Sequence, residues 1–308
     1  MLDITAIILT YNEEIHIARC LENVAQVAQR VVVIDSGSTD STVDIASAAG
    51  AEVVNHEWPG SQAAQFNWAL DTLSITTEWV LRLDADEYLL PELIDELQLK
   101  LPTMPEDVFS LSLSRARSFM GRRLRHGVTG DVEIVRIFRT GRARYEQRLM
   151  DEHLSIDPCG RVERMKGQFI DDNLLPIGQF IAKHNGYASR EAALLLDAEL
   201  GLSGMSSDSN HGSAVEKKRA KKARYARMPL FWRAFGYFVY RYILRFGFLD
   251  GTEGFLWDFM QGFWYRTLVD AKVYEIKKVC GTDRDKILAY LHDHYGIVLT
   301  NINTGGGN

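Results

Sequence analysis

Four short runs of apolar and β-branched residues, Ile4–Leu9, Arg30–Ile34, Ala51–Val54 and Trp79–Leu83, alternate with three helical patterns before Asp84. Runs of that length and composition read as strands. Strand, helix and strand joined by short connections give a parallel sheet with right-handed crossovers, so the chain is α/β. Three of the runs stop at polar loops: Thr10-Tyr11-Asn12-Glu13, Asp35-Ser36-Gly37-Ser38-Thr39-Asp40 and Asp84-Ala85-Asp86-Glu87. Ligands of an open parallel sheet collect at the carboxyl ends of its strands, which is where all three loops fall.

Two aspartates one residue apart at a strand exit can turn toward one hard divalent cation that bridges to phosphate. Asp84 and Asp86 are read this way; the competing reading is a solvated turn that caps the helix opened by Pro91. Thr10 and Glu13 have the spacing of a capping box, and Asp40 is placed as an N-cap. No G-x-G-x-x-G follows the first strand and no Gly-Lys-Ser/Thr loop occurs. Phosphate charge is therefore left for a metal to neutralise.

Ile-Leu-Thr-Tyr-Asn-Glu-Glu (8–14), Val-Ile-Asp-Ser-Gly-Ser-Thr-Asp (33–40), Gln-Ala-Ala-Gln-Phe-Asn-Trp-Ala-Leu (62–70) and Leu-Asp-Ala-Asp-Glu (83–87) resemble, in order and spacing, the landmarks of family 2 glycosyltransferases. The likeness is to bacterial enzymes of lipopolysaccharide-core and capsule assembly, and it continues through Arg-Phe-Gly-Phe-Leu-Asp-Gly (245–251). It implies a GT-A fold, Rossmann-like with a mainly parallel central sheet and flanking helices. It also implies a donor set of Thr10, Asn12, Glu13, Asp35, Asn67, Arg82 and Asp84. Asp86 and Asp84 become ligands of Mn²⁺ or Mg²⁺, with His153 a third candidate. Transfer with inversion needs a carboxylate to deprotonate the acceptor hydroxyl, a task the metal pair cannot also perform. Glu152 matches that position, with Asp151 second; the competing reading of 151–153 is a surface acidic turn with a structural histidine.

The arginines of Arg115-Ala116-Arg117 and of 121–126 are either sugar or pyrophosphate contacts or solvated charge. The net charge of −6 over 308 residues gives no general reason to expect nucleic-acid binding. The charge is uneven, however. Lys217, Lys218, Arg219, Lys221, Lys222, Arg224 and Arg227 precede an aromatic segment of Phe231, Trp232, Phe235, Tyr237, Phe238, Tyr240, Tyr242, Phe246 and Phe248. Its longest uncharged stretch falls far short of the ~20 residues a spanning helix needs. A helix lying among anionic headgroups, across 216–249, is the expectation; a core helix with a basic flank and a nucleic-acid patch are the alternatives.

Cys20, Cys159 and Cys280 are scattered and form no CxxC, which fits a reducing compartment without structural zinc. The start has no basic n-region, so the expectation is a protein kept inside the cell, peripheral on the cytoplasmic face of the inner membrane. The organisation expected is a GT-A domain over 1–200, a flexible loop over 201–215, a basic and aromatic helical, membrane-facing extension over 216–300, and a disordered tail over 301–308. The function expected is an inverting glycosyltransferase using a nucleotide-diphosphate donor, UDP-linked, and a lipid-linked saccharide acceptor, with no nucleic-acid partner. A nucleotidyltransferase of similar fold would need a Gly-rich loop bearing Lys or Arg after the first strand, and this chain has none; a non-catalytic membrane scaffold is the other alternative.

Overall fold

The computed structural model describes residues 1–128, 132–146, 154–202, 225 and 228–299. It divides into two compact units, one of residues 1–125 and 129–175 and the other of residues 126–128 and 176–308.

The first unit is a nine-stranded mixed sheet with helices against it. Strands β1 (Leu2–Thr10), β2 (Ala28–Asp35), β3 (Glu52–Asn55) and β4 (Trp79–Asp84) pair in the order β3-β2-β1-β4, all parallel. Helices α1 (Glu14–Val24), α2 (Thr42–Ala48) and α3 (Gln62–Thr72) make the crossovers. β1, β2 and β4 are buried on both faces, which explains why they read as apolar runs: Ile4, Ile8, Leu81 and Leu83 join one core cluster, while Ile7, Val32, Ile34 and Val80 join another with Phe66; β3, at the sheet edge, is at most half-buried.

Beyond β4 the sheet turns mixed. Strand β5 (Glu87–Leu89) and helix α4 (Pro91–Lys100) lead to β6 (Val108–Phe119), β7 (Arg122–Leu124) and β8 (Val132–Arg139). β8 runs antiparallel between β4 and β6. Strands β9 (Ala143–Tyr145) and β10 (Leu154–Ile156) form a separate antiparallel pair, and β11 (Arg161–Asn173) lies parallel to β6 and antiparallel to β5. The sheet is thus less parallel than the sequence predicts, because β5, β7 and β8 all join it antiparallel to a neighbour.

The second unit is helical. It contains α5 (Ile177–Leu200), α6 (Trp232–Val239), α7 (Gly251–Trp257), α8 (Tyr265–Cys280) and α9 (Arg284–Tyr295), with π-helical turns at Tyr240–Leu244 and Asp258–Trp264. The sequence groups α5 with residues 1–200; in the structure it packs with this unit. Glu191 on α5 accepts from the Tyr265 hydroxyl at 2.6 Å and from Arg266 at 2.9 Å, and Lys277 on α8 meets Glu199 at 2.6 Å. Gly247 permits close packing here, since a Cβ added to it would lie 1.9 Å from an Asp258 carboxylate oxygen. Gly127 donates its N–H to the Arg245 carbonyl at 2.8 Å, so 126–128 belongs to this unit. Among the described residues no helix is long and apolar enough to cross a membrane. The expected loop and basic run, 203–227, fall outside the described residues apart from Tyr225, as does the tail from 300.

Candidate active site

Register builds the site. β1 pairs Thr10 with Asp35 on one side and Leu9 with Asp84 on the other, so the loops after β1, β2 and β4 leave the sheet along one edge. The first two loops are bound to each other. Asp35 is 1% exposed, and its carboxylate accepts from Thr10 Oγ1 at 3.0 Å, Ser38 Oγ at 2.5 Å, Gly37 N at 2.9 Å and Ser38 N at 2.7 Å. Asn12 sits at φ +55; its N–H donates to Ser38 Oγ and its Oδ1 accepts from Thr39 N, both at 2.8 Å. Asparagine tolerates that left-handed conformation better than most residues, which suits it to this turn.

The capping assignments are corrected. Glu13 is the N-cap residue of α1, without a side-chain cap, and the Thr10 hydroxyl serves Asp35 instead. Glu13 binds the buried His16. The Leu174 N–H donates to His16 Nε2 at 2.9 Å, so the ring proton is on Nδ1 and goes to Glu13 Oε2 at 2.5 Å. Ser41, not Asp40, holds the cap position of α2; Asp40 accepts from Thr42 and from the Glu14 N–H.

Helix α3 contributes two groups whose geometry the sequence does not reveal. Gln65 is fully buried: its Nε2 donates to Ser36 Oγ at 3.1 Å and to the His56 carbonyl at 3.2 Å, and its Oε1 accepts from His56 Nδ1 at 2.6 Å. The His56 ring stacks on Trp68 at 3.7 Å. Asn67, expected among the donor contacts, is buried with its amide given to the Tyr145 backbone: Nδ2 donates to the carbonyl at 2.8 Å and Oδ1 accepts the N–H at 2.9 Å. It clips β9 to α3, and Tyr145 pairs in turn with Leu154 of β10.

At the end of β4, Asp84 is 30% exposed and lies 3.3 Å from Arg136 and 3.6 Å from Arg82. Arg82 is buried, hydrogen-bonded to Gln62 Oε1 at 3.1 Å, with its guanidinium over the Tyr145 ring at 4.4 Å. Asp86 accepts from Asn173 Nδ2 at 3.1 Å. Glu87, which the sequence shows only as the last carboxylate of that loop, is buried, pairs with Arg136 and accepts from Asp84 N at 3.0 Å. Burial pushes its carboxyl up, to about 8; Arg136 opposes this, and Asp84, Asp171 and Asp86 add to it. Arg136, on β8, is the site residue the sequence misses, since one arginine in an alternating strand looks like a solvated charge. Arg115 and Arg117 are paired with Asp171 at 3.8 and 3.0 Å rather than lying free in solvent. Asp151, Glu152 and His153 lie outside the described residues, and among the described residues no group of three His, Cys, Asp or Glu side chains is arranged to hold a metal ion.

Residues 5–185 match the sequence profile of glycosyl transferase family 2. The chain belongs to this family. Its fold is accordingly GT-A, a Rossmann-like mixed sheet with flanking helices. An uncharacterized glycosyltransferase of Rickettsia typhi is 25% identical over 83% of this chain and 82% of its own length. One of Rickettsia conorii is 43% identical over 31% of this chain and 33% of its own. The lipopolysaccharide core biosynthesis glycosyltransferase LpsC of Rhizobium meliloti is 27% identical over 62% of this chain and 71% of its own. Overlap with a solved glucosyl-3-phosphoglycerate synthase of Mycobacterium tuberculosis covers 36% of this chain and 43% of that one, at 25% identity and a TM-score of 0.31. A score that low says nothing about this chain's ligands.

Proposed function

We propose that this family 2 glycosyltransferase is metal-dependent and inverting, and moves a sugar from a UDP-linked donor to a lipid-linked saccharide of bacterial surface glycan at the cytoplasmic face of the inner membrane. The observation that carries the reading is the register that brings the Thr10, Asp35 and Asp84 loops to one edge. The likeness to LpsC, a glycosyltransferase of lipopolysaccharide core biosynthesis, supports the acceptor class.

The residues fit a hard cation. Asp86 and Asp84 offer oxygen only, and Mg²⁺ and Mn²⁺ suit one or two carboxylates completed by water and substrate phosphate; His153 is the further candidate ligand. When bound, the ion supplies charge stabilisation for the departing diphosphate. Arg82 and Arg136 add fixed positive charge, and the buried Nε of each has no acceptor among the described residues, which suits a diphosphate oxygen. Asp35 holds the loops of Thr10, Asn12 and Glu13 in the shape that receives the nucleoside. Glu152, or Asp151, takes the proton from the acceptor hydroxyl on the face opposite the leaving group, and a single displacement inverts the anomeric carbon.

Donor hydrolysis without acceptor tests the reading. Expected is release of UDP from a UDP-sugar in Mn²⁺ or Mg²⁺ and its loss on chelation, with a donor-dependent rise in melting temperature. Turnover indifferent to chelation removes the metal. Glu152→Ala is expected to keep donor binding and lose transfer; normal turnover by that variant removes it as the base.

A further inference from the structure

Around α6 the usual polarity of a surface helix is reversed. Two of its three arginines point inward: Arg233 is 2% exposed and paired with Asp270, and Arg241, in the following π-helical turn, is paired with Asp258 at 2.7 Å, while Arg245 after that turn is exposed. Its apolar side chains point outward, with Trp232 75%, Phe235 49%, Leu244 64% and Phe246 56% exposed. Charged side chains buried beneath exposed rings are the opposite of what water selects. The rings form one surface, because contacts run unbroken from Trp232 through Phe235, Phe263, Phe238 and Tyr242 to Phe248, with centroids 5.5 to 6.4 Å apart. Phe231 at φ +66 and Phe246 at φ +58 occupy the left-handed region, a strained conformation for a bulky residue. Asp270 fixes the first of these turns by accepting the Phe231 N–H at 2.7 Å.

We propose that this face docks on an anionic lipid bilayer, with its rings and aliphatic side chains among the headgroups. An exposed apolar patch this continuous marks a binding surface, and charge selects the occupant. Between Glu216 and Asp250 the chain has no acidic residue. Of the acids that follow, Asp250 and Asp258 are buried and turned to His126 and Arg241, and Glu253 between them is half-buried. With Arg233 and Arg241 neutralised, the charge available is that of exposed Arg245 among the rings and of the seven Lys and Arg residues that precede them in sequence; one positive sign next to exposed Trp and Phe suits the boundary of an anionic leaflet, whereas a second copy of the same face brings like charges together. No helix of the described residues spans, so the contact is peripheral. The inference gains its purpose from the lipid-linked acceptor proposed above, but not its physical basis.

The test is flotation of the full chain with phosphatidylcholine vesicles, with and without phosphatidylglycerol. Binding is expected with phosphatidylglycerol, along with quenching of tryptophan fluorescence by brominated lipid. The triple variant Trp232→Ser, Leu244→Ser, Phe246→Ser is expected to bind about a hundredfold more weakly at an unchanged melting temperature. Leu244→Glu is the second variant should the triple one fail to fold. Absence of binding to either vesicle, equal binding by the variants, or self-association that the variants abolish overturns the proposal. Donor hydrolysis by the same proteins separates the two readings: vesicle binding without any hydrolysis sinks the transferase reading and leaves the docking face standing.

Discussion

Buried arginine–carboxylate contacts occur in both units, and they are built differently. In the helical unit Arg233 meets Asp270 and Arg241 meets Asp258, with all four side chains buried. At the strand edge the charges are shared: Asp84 lies between Arg82 and Arg136, Arg136 between Asp84 and Glu87, and Asp171 between Arg115 and Arg117. Asp84 and Asp171 keep 30% and 21% of their side-chain surface in solvent. A sealed pair has exchanged hydration for one opposite charge, and removing that charge strands the other. A shared network at the surface can redistribute its contacts when a cation and a diphosphate arrive. The first arrangement is structural; the second suits a site that fills and empties.

The contrast breaks most visibly if the edge carboxylates are dispensable. Asp86→Ala is expected to lower transfer about a thousandfold, since several kcal/mol of leaving-group stabilisation go with the ion; UDP release measures it. Next in size, Arg233→Met is expected to cost about 3–5 kcal/mol of stability by leaving Asp270 buried and unmatched, read from urea unfolding. A smaller effect sharpens the other half. Burial raises the Glu87 carboxyl from 4.5 to about 8, so the folded state holds this proton more tightly than the unfolded chain. Its contribution is full below pH 4.5 and is lost as pH rises toward 8. In chelator, Glu87→Gln is expected to flatten the fall of melting temperature across that interval; an unchanged slope counts against it. Smallest of all, the exposed pair Arg144–Asp71 is expected to lose less than about 1 kcal/mol in Arg144→Ala, by the same unfolding assay.

Local signals carried much of this into the sequence. β1, β2 and β4 are legible because β-branched runs stop at polar loops, and α5 because a long helical pattern ends at Gly201, which takes the left-handed cap. β11 is not legible, since its partners β5 and β6 lie far away in sequence and its alternating charges mimic a surface. The same limit hides Arg136 and the true work of Asn67: a strand arginine and a helix asparagine reveal their roles only when the carboxylates of 84 and 87 and the backbone of 145 are beside them. Asp35 was legible as a strand-tip carboxylate, but not as one that already accepts four hydrogen bonds.

The Asn67 clip has one further consequence. It fastens Tyr145, and Tyr145 faces Leu154 across the β9–β10 pair, so one amide on α3 anchors a two-stranded sheet that stands apart from the main one. Tyr145 in turn carries the Arg82 guanidinium 4.4 Å from its ring centroid, so the same amide reaches an arginine 3.6 Å from Asp84. Loosening the clip at 67 would therefore be felt at Arg82 through an aromatic face rather than through a hydrogen bond of its own.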